Sequence, residues 1–161
     1  LKIGKDLFIS SGENHGAALL GVEKTGAKFS VKKRWVSQGS TSVLRNEWQT
    51  SILVDGYLYG FDNVGGAGPI THLTCVEAAT GKVAWQQSRF GKGNAMAADG
   101  KLFVSMMSGE LIVIQISPEK YIELGRQKIT RGTRQSPALS DGILILRDDE
   151  SIVAVDVKQK E

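Results

Sequence analysis

The dipeptide Asp-Gly recurs at nearly constant spacing along this chain. Its three copies lie 44 and 42 residues apart, at Asp55-Gly56, Asp99-Gly100 and Asp141-Gly142. A short apolar run flanks each copy on both sides. Asp-Gly between two such runs is the strongest short-range sign of a β-hairpin, because glycine tolerates the positive φ of a type I′ turn. The sequence therefore predicts three β-hairpins at a fixed period.

Further strand-like segments complete each repeat. Third strands are predicted at Ala18–Val22, His72–Glu77, Glu110–Ile116 and Ile152–Val157, and fourth strands at Ser30–Val36, Val83–Gln87 and Tyr121–Ile129. Four antiparallel strands every 42 to 44 residues is the period of a β-propeller blade. The whole chain, 1–161, is thus predicted to be one partial, all-β propeller with blades at about 1–39, 48–91, 94–132 and 135–160. We expect the first blade to lack its innermost strand and the last blade its outermost.

One unit carries a more specific pattern, Leu-Thr-Cys-Val-Glu-Ala-Ala-Thr-Gly-Lys-Val-Ala-Trp at residues 73–85. It resembles the signature of pyrroloquinoline-quinone-like, or quinoprotein-type, propeller repeats. Thr80 and Gly81 are expected to close the turn between the third and fourth strands, with Gly81 at positive φ. Trp85 is expected to pack between neighbouring blades, as is Trp35 in the weaker copy of the first unit.

The resemblance also implies a ring of seven or eight blades, so four units are about half of it. The terminal blades of half a ring leave apolar faces exposed, and large exposed apolar patches mark interaction surfaces. We therefore expect either two copies of the chain that complete a ring or an obligate partner. Because the chain begins with Leu1 rather than Met, we also expect it to be a piece of a longer polypeptide.

Basic and aromatic side chains at the predicted inter-blade crossings form the candidate binding site. The selected residues are Arg45, Trp48, Arg89, Lys92, Arg131 and Arg134. Every crossing carries an arginine near the start of the next innermost strand, and these strands line the channel of a propeller. The guanidinium groups are expected to converge there and to bind a carboxylate or a phosphate. Alternatively, the arginines are ordinary solvated loop residues.

No catalytic, metal or cofactor residues are predicted. His15 and His72 lack partners at ligand spacing, and a metal site needs three or four ligands. The acidic run Asp148–Glu150 lacks the spaced oxygens of a calcium loop and predicts a turn. Cys75 is the single cysteine, which excludes the paired-cysteine clamp of quinoprotein dehydrogenases, and its place on a strand predicts a buried small hydrophobe. The glycine-rich stretch 65–69 is predicted to be a flexible loop.

Two classes of function remain open. The first is a non-catalytic interaction scaffold that recognises a protein or an anionic ligand through its loops. The alternative is a fragment of a dehydrogenase, for alcohol or polyvinyl alcohol, that uses pyrroloquinoline quinone with calcium. The resemblance implies a periplasmic or secreted location for either class.

Charge and hydropathy narrow the partners further. The net charge of +3 does not gather into a nucleic-acid surface, since the densest cluster, Lys32-Lys33-Arg34, is typical of a protected edge strand. The longest apolar runs, such as Ile143–Leu146, are far shorter than the roughly 20 residues that span a bilayer. We therefore expect neither a nucleic-acid partner nor a membrane span.

Overall fold

The computed structural model describes residues 1–13, 15–64 and 70–158. Its strands are β1 (Lys2–Ile3), β2 (Asp6–Ser11), β3 (Gly16–Thr25), β4 (Lys28–Gln38), β5 (Ile52–Val54), β6 (Tyr57–Val64), β7 (Ile70–Glu77), β8 (Val83–Gln87), β9 (Gly93–Ala98), β10 (Lys101–Met106), β11 (Glu110–Gln115), β12 (Glu123–Lys128), β13 (Ala138–Ser140), β14 (Ile143–Arg147) and β15 (Ile152–Asp156). Within the described residues, one short 3₁₀ helix at Gly39–Thr41 is the helical structure. The prediction of an all-β chain is confirmed.

The strands form four antiparallel sheets in two compact units. The first unit, Leu1–Phe90, holds sheet 1 (β1–β4) and sheet 2 (β5–β8), and the second, Gly91–Glu161, holds sheet 3 (β9–β12) and sheet 4 (β13–β15). Within every sheet, strands that are consecutive in sequence are neighbours in space. Among the described residues, sheets 1 to 3 have four strands and sheet 4 has three.

The expectation that sheet 1 lacks its innermost strand is wrong. The two-residue strand β1 pairs with β2 through the partners Lys2 with Leu7 and Ile3 with Asp6. The turn that joins them contains Gly4 at a φ of 57°. A strand of two residues is too short to produce an apolar run, which is why sequence pattern alone does not reveal it.

The three Asp-Gly pairs form the predicted hairpin turns. The φ values of aspartate and glycine are 47° and 81° in the first turn, 48° and 67° in the second, and 49° and 75° in the third. Positive φ at both central residues defines the type I′ turn, whose twist matches that of the flanking strands. These local turns set the register of each hairpin, as in the pairing of Val54 with Tyr57.

The β3–β4 hairpin extends further than predicted, from Gly16 to Gln38. Ion pairs across the sheet accompany the extension: Lys32 lies 3.2 Å from Glu23, and Arg34 lies 3.2 Å from Asp6. The charged strand β4 is an edge strand of sheet 1. Cross-strand charge pairs stabilise a hairpin that is exposed to solvent on both faces. Such a hairpin has no alternating apolar pattern, so the sequence does not predict its full length.

Each unit has its own apolar core between its two sheets. In the first unit, Phe8 and Leu19 of sheet 1 share a cluster with Leu58 and Val76 of sheet 2 and with Leu44 from the β4–β5 loop. In the second unit, the cluster joins two residues of sheet 3, Phe103 and Leu111, to two of sheet 4, Leu144 and Leu146. Both cores therefore form by face-to-face packing of consecutive sheets.

Candidate functional site

The predicted site residues lie at or beside one end of the sheets in each unit. In the first unit, this loop end consists of the β2–β3 turn (12–15) and the β4–β5 loop (39–51). In the second unit, it consists of the β10–β11 turn (107–109), the β12–β13 loop (129–137) and the β14–β15 turn (148–151). Arg45 and Trp48 belong to the first loop end, and Arg131 and Arg134 to the second, while Arg89 and Lys92 lie in the connection between β8 and β9.

Arg45 is buried in an ion pair with Asp62, which sequence analysis does not select. Its Nε donates to Asp62 Oδ1 at 2.6 Å and its Nη2 to Oδ2 at 2.7 Å. The exposed fractions of the two side chains are 4% and 2%. The remaining guanidinium nitrogen, Nη1, is buried and finds no hydrogen-bond partner among the described residues. The structure thus commits the guanidinium of Arg45 to a carboxylate of its own chain.

Backbone contacts fix the β4–β5 loop to the end of β6. The carbonyl oxygen of Arg45 accepts hydrogen bonds from the backbone nitrogen and the Nδ2 of Asn63, at 3.1 and 2.9 Å. Thr71 in turn donates to Asn63 Oδ1 at 2.7 Å. The preceding residue, Leu44, is fully buried at a φ of 52°, a left-handed conformation that costs energy in a residue with a side chain. Tertiary packing therefore holds this loop in one shape.

A second arginine repeats the backbone part of this arrangement. The backbone nitrogen of Arg45 donates to Asp62 Oδ1 at 3.0 Å, and that of Arg131 donates to Asp148 Oδ2 at 2.9 Å. In both pairs the aspartate follows the arginine by 17 residues. The two loop ends are thus anchored by equivalent carboxylates.

The spacing of these residues from the Asp-Gly turns is a sequence signal for the two aspartates. The anchoring arginines stand ten residues before the Asp of an Asp-Gly turn, and their aspartates stand seven residues after it. In the repeat aligned on Asp99-Gly100, Arg89 occupies the arginine position, but Met106 stands where the other repeats have the aspartate. The backbone nitrogen of Arg89 donates instead to His72 Nδ1, at 2.9 Å.

Asp148 closes the acidic turn that the sequence predicts. Its Oδ1 accepts hydrogen bonds from the backbone nitrogens of Glu150, at 2.9 Å, and Ser151, at 2.7 Å. Together with the bond from Arg131, these donors hold the pKa of Asp148 well below its usual range. The side chain of Arg131 is 78% exposed and lies 2.5 Å from Glu150.

Each loop end contains a cavity lined by a predicted residue. In the first unit, a cavity of about 450 Å³ is bounded by Ser11, Gly12, Glu13, His15, Glu47 and Trp48. In the second unit, a cavity of about 430 Å³ is bounded by Met107, Gly132, Thr133, Arg134, Gln135 and Asp149. The first carries two carboxylates beside an indole, and the second carries a guanidinium and one carboxylate, that of Asp149, beside hydroxyl and amide groups. The second cavity is the one whose donors match an anionic group.

Lys92 and Arg89 line neither cavity. Lys92 is half-buried, and its carbonyl oxygen accepts a hydrogen bond of 2.8 Å from the nitrogen of Met107. Arg89 is exposed and has a φ of 54°. Within the second unit, Asn94 Nδ2 donates to the carbonyl oxygen of Arg134 at 2.7 Å, which fixes the backbone beside the cavity.

The Thr-Gly turn of sheet 2 has the local geometry expected of it. The nitrogen of Gly81 donates to Glu77 O at 2.9 Å, and Gly81 has a φ of 75°. Thr80 Oγ1 donates to Glu77 Oε2 at 2.5 Å and accepts from the nitrogen of Lys82 at 3.2 Å. Glu77, which stands where the repeat signature usually has aspartate, thus fastens the threonine hydroxyl.

The two tryptophans of the signature have different surroundings. Trp35 Nε1 donates to Ala78 O of the β7–β8 turn at 2.9 Å, so the indole joins sheet 1 to sheet 2. Its ring also lies 5.9 Å from that of Phe8. Trp85 is half-buried on β8, with its ring centroid 6.0 Å from that of Tyr59.

Cys75 is fully buried in sheet 2 and pairs in register with Tyr59. Burial raises the pKa of the Cys75 thiol to about 11, and burial also raises the pKa of Tyr59. A thiol with so high a pKa is a poor nucleophile at neutral pH.

Over residues 1–13, 15–64 and 70–158, no three His, Cys, Asp or Glu side chains come together as a metal site would require. Over the same residues, there is no helix of the length and apolarity that crossing a bilayer takes.

Comparison with known proteins identifies the fold. No family model matches the sequence, and no curated protein does either. Among solved structures, BamB from Moraxella catarrhalis is similar, with a TM-score of 0.56 and 11% sequence identity. The alignment covers 97% of this chain and 48% of that one, so this chain spans about half the length of the structure it matches. The likeness and the four antiparallel sheets together show the fold of part of a β-propeller.

Proposed function

We propose that this chain is a non-catalytic interaction scaffold of the quinoprotein-like propeller type. The observation that carries the proposal is the cavity at the second loop end, where exposed Arg134 stands beside Thr133 and Gln135 on an anchored backbone. A guanidinium with neighbouring hydroxyl and amide donors binds carboxylates well. The proposed ligand is therefore an anionic group, such as an acidic side chain of a protein partner.

An acidic peptide tests this function. A fluorescent hexaglutamate peptide should bind the full chain, and R134A should weaken binding about tenfold, since a hydrogen bond to a charged group contributes on the order of 1.5 kcal/mol. K120A is the matched control, because Lys120 lies between β11 and β12, at the opposite end of sheet 3 from the β10–β11 turn. Equal losses in the two variants, or no binding, would exclude anion recognition at this cavity.

The alternative function is a fragment of a dehydrogenase that depends on pyrroloquinoline quinone. The Thr-Gly-Lys repeat favours it, but the described residues do not fit the cofactor. The single cysteine is buried, and no acidic cluster among them offers a calcium site. We therefore propose that no cofactor binds, and that adding the quinone with calcium leaves the melting temperature unchanged. A rise in melting temperature together with dye reduction would favour the enzyme.

The proposal extends to location and to partners. The resemblance of residues 73–85 to quinoprotein repeats supports a periplasmic or secreted location. A second copy of the chain is proposed as one protein partner, because one copy spans about half of the propeller that it matches.

A further inference from the structure

The repeat assigns the two faces of each sheet. Positions are counted from the first residue of the turn that joins the first two strands of each sheet, which is Gly4, Asp55, Asp99 or Asp141. The third residue after it faces the preceding sheet. Leu58 and Leu144 hold this position and are fully buried in the two cores. The fourth residue faces the following sheet, as Phe8 and Phe103 do in the same cores. Successive strand residues point to opposite faces, so this alternation holds for the rest of each strand.

Two residues at these positions lack such a neighbour. Leu7, third after Gly4, is 40% exposed, and Ile145, fourth after Asp141, is 36% exposed. At the same two positions the other sheets have apolar residues that are 0 to 5% exposed. Sheet 1 thus presents the face that receives a preceding sheet, and sheet 4 presents the face that receives a following one.

Further apolar residues lie on both faces, beside Lys33 in sheet 1 and Arg147 in sheet 4. The leading face of sheet 1 includes Leu7, Ile9, Ala18, Val22, Val31 and Val36, in which Ile9, Ala18 and Val36 are register partners. These three also line a cavity of about 190 Å³. The trailing face of sheet 4 includes Ala138, Ile145, Ile152 and Ala154, of which Ile152 is 75% exposed, and it also carries Arg147, the register partner of Ile152. A cavity of about 200 Å³ opens beside Ile145 and Ile152.

We propose that the trailing face of one copy packs against the leading face of a second copy, with Ile145 of one chain against Leu7 of the other. This contact repeats the packing of Phe8 with Leu58 and of Phe103 with Leu144 inside the two cores. The inference rests on the part of the proposed function that takes a second copy as partner, and it is independent of the ligand at Arg134. Two reciprocal contacts of this kind close a dimer, whereas a single one leaves the chain open to further addition.

The surface involved is large enough for a stable dimer. Four strands about 4.8 Å apart and about five residues long, at about 3.4 Å per residue, cover roughly 300 Å². The three-stranded face of sheet 4 covers about 240 Å², so two contacts between the two kinds of face amount to about 1,100 Å², above the about 1,000 Å² that a specific interface needs. Because the alignment covers 48% of the matched chain, two copies together have about the length of that chain.

Sedimentation of the full chain tests the inference. We expect a dimer at twice the chain mass of 17.4 kDa at tens of micromolar concentration. L7K and I145E should each give monomers with unchanged circular dichroism, because both side chains are partly exposed before assembly. L124E is the matched control, since Leu124 is 51% exposed on β12, away from both faces, and this variant should remain dimeric.

The double variant L7K/I145E identifies which faces meet. If the leading face contacts the trailing face, the introduced ammonium and carboxylate lie together and the dimer returns. If leading faces meet each other, I145E alone leaves the dimer intact and the double variant stays monomeric, which overturns the proposal. A monomeric wild-type chain also overturns it, while the loss of peptide binding in R134A reports separately on the loop end.

Discussion

The α-carbon of Gly81 in the β7–β8 turn lies against the indole of Trp35 from β4. A methyl group built on Gly81 would stand 2.7 Å from Trp35 Cδ2, closer than packed carbon atoms approach. The carbonyl oxygen of Ala78 in the same turn accepts the indole N–H at 2.9 Å. The glycine of the Thr-Gly signature therefore serves two purposes: it supplies the positive φ of the turn and makes room for a tryptophan of the preceding sheet.

Replacement of this glycine separates the two purposes. We expect G81A to lower the free energy of unfolding by about 2 to 5 kcal/mol, the sum of left-handed strain and overpacking. G26A is the control, because Gly26 has a φ of 62° in the equivalent turn of sheet 1 and has open space around it. That variant should lose about 1 to 2 kcal/mol in urea unfolding. Equal losses would show that the indole yields freely to the new methyl group.

The buried pair of Arg45 and Asp62 gives a second prediction. Removal of one partner leaves a buried charge without compensation, so R45L and D62L should each destabilise the chain by about 3 to 5 kcal/mol. The double variant R45L/D62L should lose clearly less than the sum, and urea unfolding of the four proteins completes the cycle. R131L provides the comparison, since its exposed ion pair with Glu150 should contribute less than about 1 kcal/mol. Additive losses for Arg45 and Asp62 would contradict a coupled pair.

The parts of the fold that the sequence predicts are those set by local chemistry. The Asp-Gly turns need positive φ at two adjacent residues, and this requirement is visible in the dipeptide itself. The strand β1 escapes notice because its two residues, Lys2 and Ile3, gain their order from pairing with β2. Tertiary context, which no local pattern carries, creates that strand.

The candidate site was less predictable for the same reason. Selection of Arg45 as a ligand residue follows from its place in a loop, but its surroundings depend on Asp62, 17 residues later on strand β6. The constant offset of arginine and aspartate from the turns is visible only when the units are aligned on Asp-Gly. Arg45 is buried and Arg131 is exposed, although the two arginines hold equivalent positions. The difference depends on the packing around each loop, which the constant spacing does not predict.

The thiol of Cys75 gives a third prediction. Because burial raises its pKa to about 11, little thiolate exists at pH 8, and the sheet also blocks access. Labelling by a disulfide reagent should be at least a hundredfold slower in the folded chain than in 6 M guanidinium chloride, followed by absorbance. A folded chain that reacts at the unfolded rate would show that sheet 2 opens readily around Tyr59 and Cys75.

The carboxylate of Asp148 makes the stability of the second unit depend on acid. Its pKa lies below the value of about 3.9 that a free aspartate has, because the backbone nitrogens of Arg131, Glu150 and Ser151 donate to it. The folded chain therefore binds fewer protons than the unfolded chain as the pH falls through that value. The stabilisation is fully present above about pH 4 and decreases as the pH falls towards the pKa of the folded state.

The variant D148N should consequently be less stable than the wild type at pH 7, and the difference should narrow from about pH 4 downward, as measured by urea unfolding at pH 7, 5, 4 and 3. D149N is the matched control, because Asp149 is exposed in the same turn, so the comparison isolates the buried carboxylate of Asp148. A gap between wild type and D148N that stays constant across this range would mean that the charge of Asp148 does not fasten the turn. In that case D148N would lose stability only because asparagine keeps one of the two oxygens, Oδ1 and Oδ2, that accept the hydrogen bonds of this turn.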